Sequence, residues 1–410
     1  MIKWALIGWL FLKEVVECFL KFSNLNYATS PNRSIPSTLQ DVITQEKFEK
    51  SKSYLKDKTW FSFVSSLFHL LFTLVLLLLL LPMFEQVALI ATKSFIIQGL
   101  LFFGLLFLID TVVNIPFSLY ETFVIEHKFG FNKTTGKTFV ADQVKSILIS
   151  LVLGTLLLSV ILWVLKNFTV WWWQISLGSI VFLLISMWLF PMILMPLFNK
   201  FKPLPEGELK TIIEEFALKN HINVKNIFIM DASKRSTHGN AFFTGAGSSR
   251  RLVLFDTILG YSPDEILSIV AHEWGHFLHR DTWKLLTMEI FITTSVLFLS
   301  NYLYASSILG TYFHITTRYA TLFYSMTFIT PLLFFLEPAI NFWVRKNEYD
   351  ADLFSIRMTG KASAGISSLK RLIKDNLSNL NPLPLYRTWF YSHPAPEERI
   401  AFIARNAKDE

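Results

Sequence analysis

Long apolar runs alternate with shorter polar segments along most of the chain, and their lengths predict helices that cross a membrane. A helical span needs about 20 apolar residues. Five runs meet this length well, at 60–83, 95–115, 147–165, 171–198 and 290–309. A sixth, at 319–343, is interrupted by Pro331 and Pro338, and a weaker seventh, at 2–20, contains Lys13, Glu14 and Glu17. The pattern therefore predicts an α-helical polytopic membrane protein with seven spans.

The composition agrees with this interpretation. The chain of 410 residues is 52% hydrophobic and 17% charged, whereas a soluble domain carries about 25% charged residues. Its single cysteine, Cys18, excludes an internal disulfide and a cysteine-rich metal site. The first apolar run is followed by Lys13 and Glu14 rather than by small residues, so we expect no cleavable signal peptide.

Positive charge is distributed unevenly over the loops between the seven predicted spans. On the side that contains the loop after the first span lie 33 of the 38 Lys and Arg residues, while four lie on the other side and Lys13 lies within the first span. The positive-inside rule predicts that the basic side, with the C-terminus, is cytosolic. The net charge of +7 then follows from topology, and we expect the lipid bilayer, and no nucleic acid, as a partner.

We expect four portions along the chain: spans one to five at 1–198, a polar segment at 199–287, spans six and seven at 288–343, and a C-terminal portion at 344–410. Within the polar segment, periodicity predicts an amphipathic helix at 207–220, strands at 224–233 and 250–259, and a strand edge and turn at 236–250. A further helix is expected after Ser262, with Pro263 in its first turn and Glu265 completing a capping box.

An HExxH motif lies on this last helix, within the segment AHEWGHFLHRD at 271–281. His272 and His276 are four residues apart, so both imidazoles project from one face of the helix and can bind one Zn²⁺. Glu273 is placed to take a proton from a zinc-bound water and to pass it to a leaving amine. The motif predicts a hydrolytic site with one Zn²⁺ per chain.

A catalytic zinc site needs a third protein ligand, and the segment RKNEYDADLFS directly after the last span offers one. Glu348 and Asp352 are four residues apart and share one helical face. We expect Glu348 to bind zinc and Asp352 to hold a ligand histidine through its second ring nitrogen. His279, His238 and His393 remain alternative third ligands.

Five segments, in this order, resemble the Ste24-type CAAX prenyl proteases, which are zinc metallopeptidases of the M48 class. They are YETFVIEHKFGFNKTT, KRSTHGNAFFTGAG, HEWGHFLHRD, RKNEYDAD and FYSHPAPEERI. The resemblance implies seven transmembrane helices that form a barrel around a large water-filled chamber. A small α+β metallopeptidase portion would place the zinc site toward that chamber.

The resemblance also implies roles for individual residues. The two motif histidines with Glu348 match the zinc ligands, and Glu273 matches the general base. Asn240 and Ala241 match a strand edge that pairs with the substrate backbone. His393 matches a donor to the developing oxyanion, and Arg399 matches a basic residue near the C-terminal end of the substrate.

These observations predict an integral-membrane zinc metalloendopeptidase that cleaves peptides near the C-terminus, with prenylated CAAX-type substrates as the favoured class. One alternative is an HtpX-like protease for membrane-protein quality control, which would have fewer spans. The other is a channel or scaffold with a structural zinc, which would need four protein ligands and would leave Glu273 without a task. We expect a multi-pass protein of a bacterial inner membrane or an endoplasmic reticulum membrane.

Overall fold

The computed structural model describes residues 1–222, 226–244 and 251–407. Most of this part of the chain is helical, and a small sheet lies in the second half. The helices are Ile2–Thr29, Gln45–Ala91, Phe95–Phe129, Gly136–Asn167, Trp172–Phe198, Glu208–Lys219, Pro263–Leu278, Asp281–Ala305, Ile308–Phe313, Arg318–Ile329, Pro331–Thr359, Ala362–Asp375, Pro384–Phe390 and Pro396–Asn406.

Among the described residues, five helices are long and apolar enough to cross a membrane. They coincide with the predicted spans two to six. The helices Arg318–Ile329 and Pro331–Thr359 meet at 44° and give a sixth if the bent pair is one span. This bend confirms the predicted break at Pro331. Its cause is the proline ring, which removes a backbone hydrogen-bond donor. Pro338, in contrast, lies inside a continuous helix.

The first predicted span is also a helix, Ile2–Thr29, but it falls outside the apolar set. Its charged residues pair with one another: Lys13 Nζ lies 2.8 Å from Glu14 Oε1 and 2.5 Å from Glu17 Oε2. The helix packs beside the bent pair, where the Trp9 indole N–H donates to the carbonyl of Phe328 at 3.0 Å. The number of seven spans therefore stays a prediction.

Four short strands form the sheet, in the order β1-β2-β4-β3. They are β1 Phe201–Pro203, β2 Ile227–Met230, β3 Ala241–Thr244 and β4 Arg251–Phe255. β4 pairs parallel to β2 and antiparallel to β3, so β3 is an edge strand of this sheet. The predicted strands at 224–233 and 250–259 contain β2 and β4. The part of the predicted turn at 245–250 lies outside the described residues, as do 224–225 and Arg250.

The helix Pro263–Leu278, called here the motif helix, begins as predicted. The Ser262 backbone N–H donates to Glu265 Oε2 at 2.8 Å, and the Glu265 N–H donates to Ser262 Oγ at 3.3 Å, which completes the capping box. Its buried face packs against the sheet, and Trp274 stacks on Phe216 with ring centroids 5.1 Å apart. The predicted amphipathic helix at 207–220 supplies this stacking partner, as Glu208–Lys219.

The motif helix crosses the helix Pro331–Thr359, called here the carboxylate helix, at a glycine. A Cβ atom at Gly275 would lie 2.9 Å from the Cα atom of Ala351. The two backbones therefore meet in a contact that leaves no space for a side chain. This crossing brings Glu348, one turn before Ala351, and Asp352, the residue directly after it, to the face of the motif helix that carries the histidines.

Candidate active site

Three side chains from the two crossing helices converge on one point. His272 Nε2 and His276 Nε2 are 3.1 Å apart, and they lie 3.4 Å from Glu348 Oε2 and 3.3 Å from Glu348 Oε1, respectively. A tetrahedral ion with metal–nitrogen bonds of about 2.0–2.1 Å would separate its ligand atoms by roughly 3.3 Å. The spacing thus fits three ligands of one small cation.

The hydrogen bonding at this point also fits a metal. Glu348 is buried, and its Oε2 atom has no hydrogen-bond partner among the described residues. Unpaired buried carboxylate oxygens are costly, and a divalent cation between the three side chains would remove that cost. Two imidazoles and one carboxylate form a donor set of the zinc type, which leaves a fourth position open for water or substrate.

Both histidines are oriented through their second ring nitrogens. His272 Nδ1 lies 2.8 Å from Asp352 Oδ1, and His276 Nδ1 lies 2.9 Å from Asp281 Oδ2. These contacts direct each Nε2 toward the cluster, because a carboxylate fixes the tautomer of a metal-binding histidine. Asp352 thus contacts the second ring nitrogen of His272, while the role of this histidine as a metal ligand stays a prediction.

Sequence reasoning missed Asp281. This residue starts the helix after the motif helix and is almost fully buried. Arg280 makes the turn between the two helices with a left-handed φ of 58°, which folds Asp281 back onto His276. Lys284 Nζ holds the other carboxylate oxygen of Asp281 at 2.7 Å. In the sequence, the signal for this contact was an acidic residue, Asp281, shortly after the end of the motif helix.

Arg399 contacts two of these residues, Asp352 and His272. Its Nε and Nη2 atoms donate to Asp352 at 2.8 and 2.6 Å, and Nη2 lies 3.4 Å from His272 Nδ1. Glu398, a sequence neighbour, instead pairs with Arg387 at 2.6 Å. The guanidinium of Arg399 is therefore engaged by the carboxylate that orients His272.

Glu273 and His393 lie next to the ligand cluster and line the same cavity as His272. Burial raises the pKa of Glu273, against the opposing influence of the adjacent histidines. His393 Nε2 lies 3.4 Å from Glu348 Oε1, and 61% of the His393 side chain is exposed. An exposed imidazole at this distance can donate a hydrogen bond to a molecule bound beside the metal position.

A cavity of about 590 Å³ joins these residues to the sheet. Asn240 and Ala241, at the start of the edge strand β3, lie in its wall together with His272, Glu273 and His393. The Asn240 side chain accepts from the Ala241 N–H at 2.8 Å. The carbonyl of Asn240 accepts from Phe255 at 3.1 Å, on the β4 side. The other side of β3 is the edge of the sheet, so an extended peptide could lie along it and reach the cluster.

The other candidate histidines lie elsewhere. His279 ends the motif helix and contacts Phe354 edge-on, with ring centroids 5.9 Å apart. His238 stacks on Phe131 and contacts Asn376. In the part of the chain that the structure describes, the group that could hold a metal consists of His272, His276 and Glu348.

A family model described as "CAAX prenyl protease N-terminal, five membrane helices" matches residues 25–200, and a model of peptidase family M48 matches residues 203–407. The CAAX prenyl protease 1 of Saccharomyces cerevisiae is 33% identical over 98% of this chain and 95% of its own length. A CAAX prenyl protease 1 homolog from Arabidopsis thaliana is 31% identical over 97% and 96%. The crystal structure of S. mikatae Ste24p matches with a TM-score of 0.89 at 31% identity, over 97% of this chain and 98% of that one.

Proposed function

Because the chain belongs to the Ste24-type CAAX prenyl proteases of peptidase family M48, we propose that it is an integral-membrane zinc endopeptidase. Its substrates would be peptides and proteins that are cleaved near the C-terminus, with prenylated CAAX-type sequences as the favoured class. Among the described residues, the observation that carries the proposal is the cluster of His272, His276 and Glu348, with Glu273 beside it.

The three ligands would hold one Zn²⁺ per chain. When bound, the ion supplies a Lewis acid for the peptide carbonyl and lowers the pKa of a bound water. Glu273 would accept the proton of that water and pass it to the leaving amine. Its burial supports this role, because a raised pKa brings a carboxylate closer to the pH at which it exchanges protons efficiently.

The remaining candidate residues would position the substrate. The backbone of β3 at Asn240 and Ala241 would pair with the extended peptide. His393 would donate a hydrogen bond to the carbonyl oxygen as it gains negative charge. Asp352 would keep His272 in its ligating tautomer. The bidentate contact of Arg399 with Asp352 favours a role in holding Asp352 in place over a role in binding the carboxylate of the substrate.

The membrane portion would form seven spans around a chamber, with the basic loops and the C-terminus on the cytosolic side. Support comes from a cavity of about 840 Å³ between the helix Ile2–Thr29, the helix Gln45–Ala91 and the bent pair, whose wall includes Lys13, Glu14, Glu17, His69 and Glu337. Ionisable residues at membrane depth face a polar interior rather than lipid. The helix Ile2–Thr29 would then be the first span, with its charges turned toward this interior. We also propose that the chain divides into four portions, at 1–198, 199–287, 288–343 and 344–410. Its location would be a bacterial inner membrane or an endoplasmic reticulum membrane.

The test is cleavage of a farnesylated CAAX peptide by the purified full-length protein, with and without a zinc chelator. We expect cleavage that stops with chelator and returns with added Zn²⁺. Glu273→Gln should retain one zinc per chain and lose at least about 100-fold in kcat. Glu206→Gln, at an exposed position far along the chain, is the matched control and should cleave normally.

Two results would contradict the proposal. Normal turnover by Glu273→Gln would remove its mechanism. Cleavage of an unfolded membrane protein, with no cleavage of farnesylated or unmodified CAAX peptides, would replace its substrate class with that of a quality-control protease.

A further inference from the structure

A short backbone ladder joins the segment before β3 to the loop after the helix Phe95–Phe129. The Lys133 N–H donates to the carbonyl of Arg235 at 3.0 Å, and the Thr237 N–H donates to the carbonyl of Phe131 at 3.2 Å. His238 follows directly, stacked on Phe131 with ring centroids 4.3 Å apart. This imidazole thus sits on a fixed support two residues before Asn240, at the start of the proposed substrate-binding edge.

Both ring nitrogens of His238 face a partner. Nε2 lies 3.7 Å from Glu126 Oε2, and Nδ1 lies 2.9 Å from Asn376 Oδ1. The contact with Glu126 raises the pKa of His238, against its partial burial. A protonated imidazole donates from both nitrogens, so it can bind the Glu126 carboxylate and the Asn376 carbonyl oxygen at the same time.

The other charged and titratable groups around this pair have partners of their own. The Tyr54 hydroxyl donates to Glu126 Oε1 at 2.7 Å. Lys58 Nζ lies 3.5 Å from the same oxygen and also pairs with Glu121. Arg235 is engaged by Asp142 at 2.8 Å. Glu126 is therefore the acidic group that faces the imidazole of His238.

Asn376 connects this cluster to the active site. It ends the helix Ala362–Asp375, and it lies in the wall of the 590 Å³ cavity that also contains Glu273 and His393. His238 holds its carbonyl oxygen, while its amide nitrogen makes no hydrogen bond to any residue that the structure describes. The amide N–H groups are thus available as donors at the cavity wall.

The guanidinium of Arg399, in the same cavity wall, is already bound on two atoms by Asp352, which leaves the Asn376 amide as a further donor in that wall. A peptide in the cavity presents acceptors, namely its backbone carbonyl oxygens and, at its end, a carboxylate. A neutral amide can bind either without adding charge next to the metal ligands.

We propose that Asn376 is a substrate-binding residue that donates its amide N–H to an oxygen of the bound peptide, and that His238 is the positioning residue that fixes this orientation. The inference rests on the proposed peptidase function and adds two residues to its substrate site. If His238 loses the proton on Nδ1, that atom becomes an acceptor. The Asn376 amide then turns its nitrogen to His238 and its oxygen to the cavity, where it repels the peptide oxygen.

Substitutions of Asn376 separate binding from structure. Asn376→Asp keeps an acceptor for His238 but removes the donor, and Asn376→Leu removes both. Both variants should raise KM for a CAAX peptide about fivefold to tenfold, with kcat changed less than twofold, as expected for the loss of one hydrogen bond to substrate. The φ of −91° at this position suits any residue, so backbone strain should not contribute.

Substitutions of His238 test the positioning role. His238→Phe keeps the stacking on Phe131 and should raise KM as much as Asn376→Leu. The double variant should resemble either single variant, because both remove the same interaction. His238→Gln restores a donor to Asn376 and should recover most of the loss. Thr134→Val, on the same ladder, is the control and should leave KM and kcat unchanged.

The pH profile supplies a readout that a purely structural histidine would not alter. KM of the native protein should rise as the pH passes above the pKa of His238, relative to His238→Gln measured at the same pH. A constant ratio of the two KM values from pH 6 to 9 would overturn the positioning role. A native KM in Asn376→Asp would overturn the substrate contact.

A binding assay keeps this inference distinct from the proposed function. The same substitutions are made in the Glu273→Gln background, and Kd is measured for fluorescent CAAX peptides that end in a free acid or in an amide. A rise in Kd for both peptides points to a backbone carbonyl as the acceptor, and a rise for the acid alone points to the terminal carboxylate. Unchanged Kd for both overturns the inference alone. If no peptide binds or is cleaved, the proposed function fails with it.

Discussion

Arg399 and Asp352 form a bidentate pair, with donor–acceptor distances of 2.8 Å from Nε and 2.6 Å from Nη2. Asp352 also contacts His272 Nδ1 at 2.8 Å. The arginine therefore holds the carboxylate that contacts His272, one of the three proposed metal ligands. The resemblance implied a basic residue near the substrate's C-terminal end, and that role stays a prediction; the geometry adds a contact of Arg399 with Asp352 and His272.

Arg399→Lys should therefore weaken zinc binding. Lysine cannot form the planar two-point contact, so Asp352 and His272 lose their fixed geometry. We expect a 10- to 100-fold lower zinc affinity, measured by chelator competition. Arg387→Lys, at the more exposed pair with Glu398, should leave it unchanged. Unaltered zinc affinity, combined with loss of a preference for a free acid over an amidated peptide, would instead support the carboxylate-binding role.

Asp281→Asn should weaken zinc binding through the other histidine. The substitution preserves size but replaces the carboxylate that faces His276 Nδ1 at 2.9 Å, so the imidazole becomes less basic and less well oriented. We expect about a tenfold loss of zinc affinity. Asp264→Asn, on the first turn of the motif helix and paired with Lys361, is the control. Equal zinc affinity in the two variants would argue against a role for Asp281.

Gly275→Ala should separate the two helices that carry the ligands. The new methyl group would lie 2.9 Å from the backbone of Ala351, and relief of such overpacking costs about 1–3 kcal/mol. We expect a lower Tm together with a lower zinc content. Gly154→Ala places its methyl group in open space and should not lower either quantity. A native zinc content in Gly275→Ala would mean that the crossing tolerates displacement.

Zinc affinity should fall as the pH is lowered. Burial works to lower the pKa of His272, but the neighbouring Asp352 and Glu348 outweigh it and raise that pKa to about 9 in the metal-free site. Zinc binds the neutral imidazole, so below this pH it must displace a proton. This proton alone should reduce the apparent affinity about tenfold per pH unit between 9 and 7.

Asp352→Asn removes the principal cause of the raised pKa and should flatten this dependence, whatever its effect on affinity at high pH. The comparison is a series of chelator competitions at pH 6 to 9 on both proteins, with Asp264→Asn as control. An affinity that does not change with pH in the native protein would contradict the assignment.

The sequence was sufficient for the features that depend on local spacing. The HExxH pair, the capping box at Ser262 and the apolar runs each follow from positions within a few residues of one another. Asp281 was not predicted, because its contact depends on the left-handed turn at Arg280. The engagement of Arg399 was also missed, since it depends on how the helix Pro396–Asn406 docks against the carboxylate helix. The first span stays a prediction, because the i,i+4 spacing of Lys13 and Glu17 indicates that they pair on the helix but not whether their shared face lies toward lipid or toward a polar interior.

The 44° bend between Ile329 and Pro331 is a point about which the carboxylate helix could rotate. With a rise of 1.5 Å per residue, Glu348 lies about 25 Å along the helix from the bend. Metal–ligand distances tolerate deviations of about 0.2 Å, so a swing of roughly half a degree would already disturb the site. The close contact of Gly275 with Ala351 would limit such a rotation. Because Glu348 is part of the carboxylate helix, lipid forces on the apolar half of the bent pair would move this proposed ligand relative to His272 and His276 wherever the contact between Gly275 and Ala351 gives way.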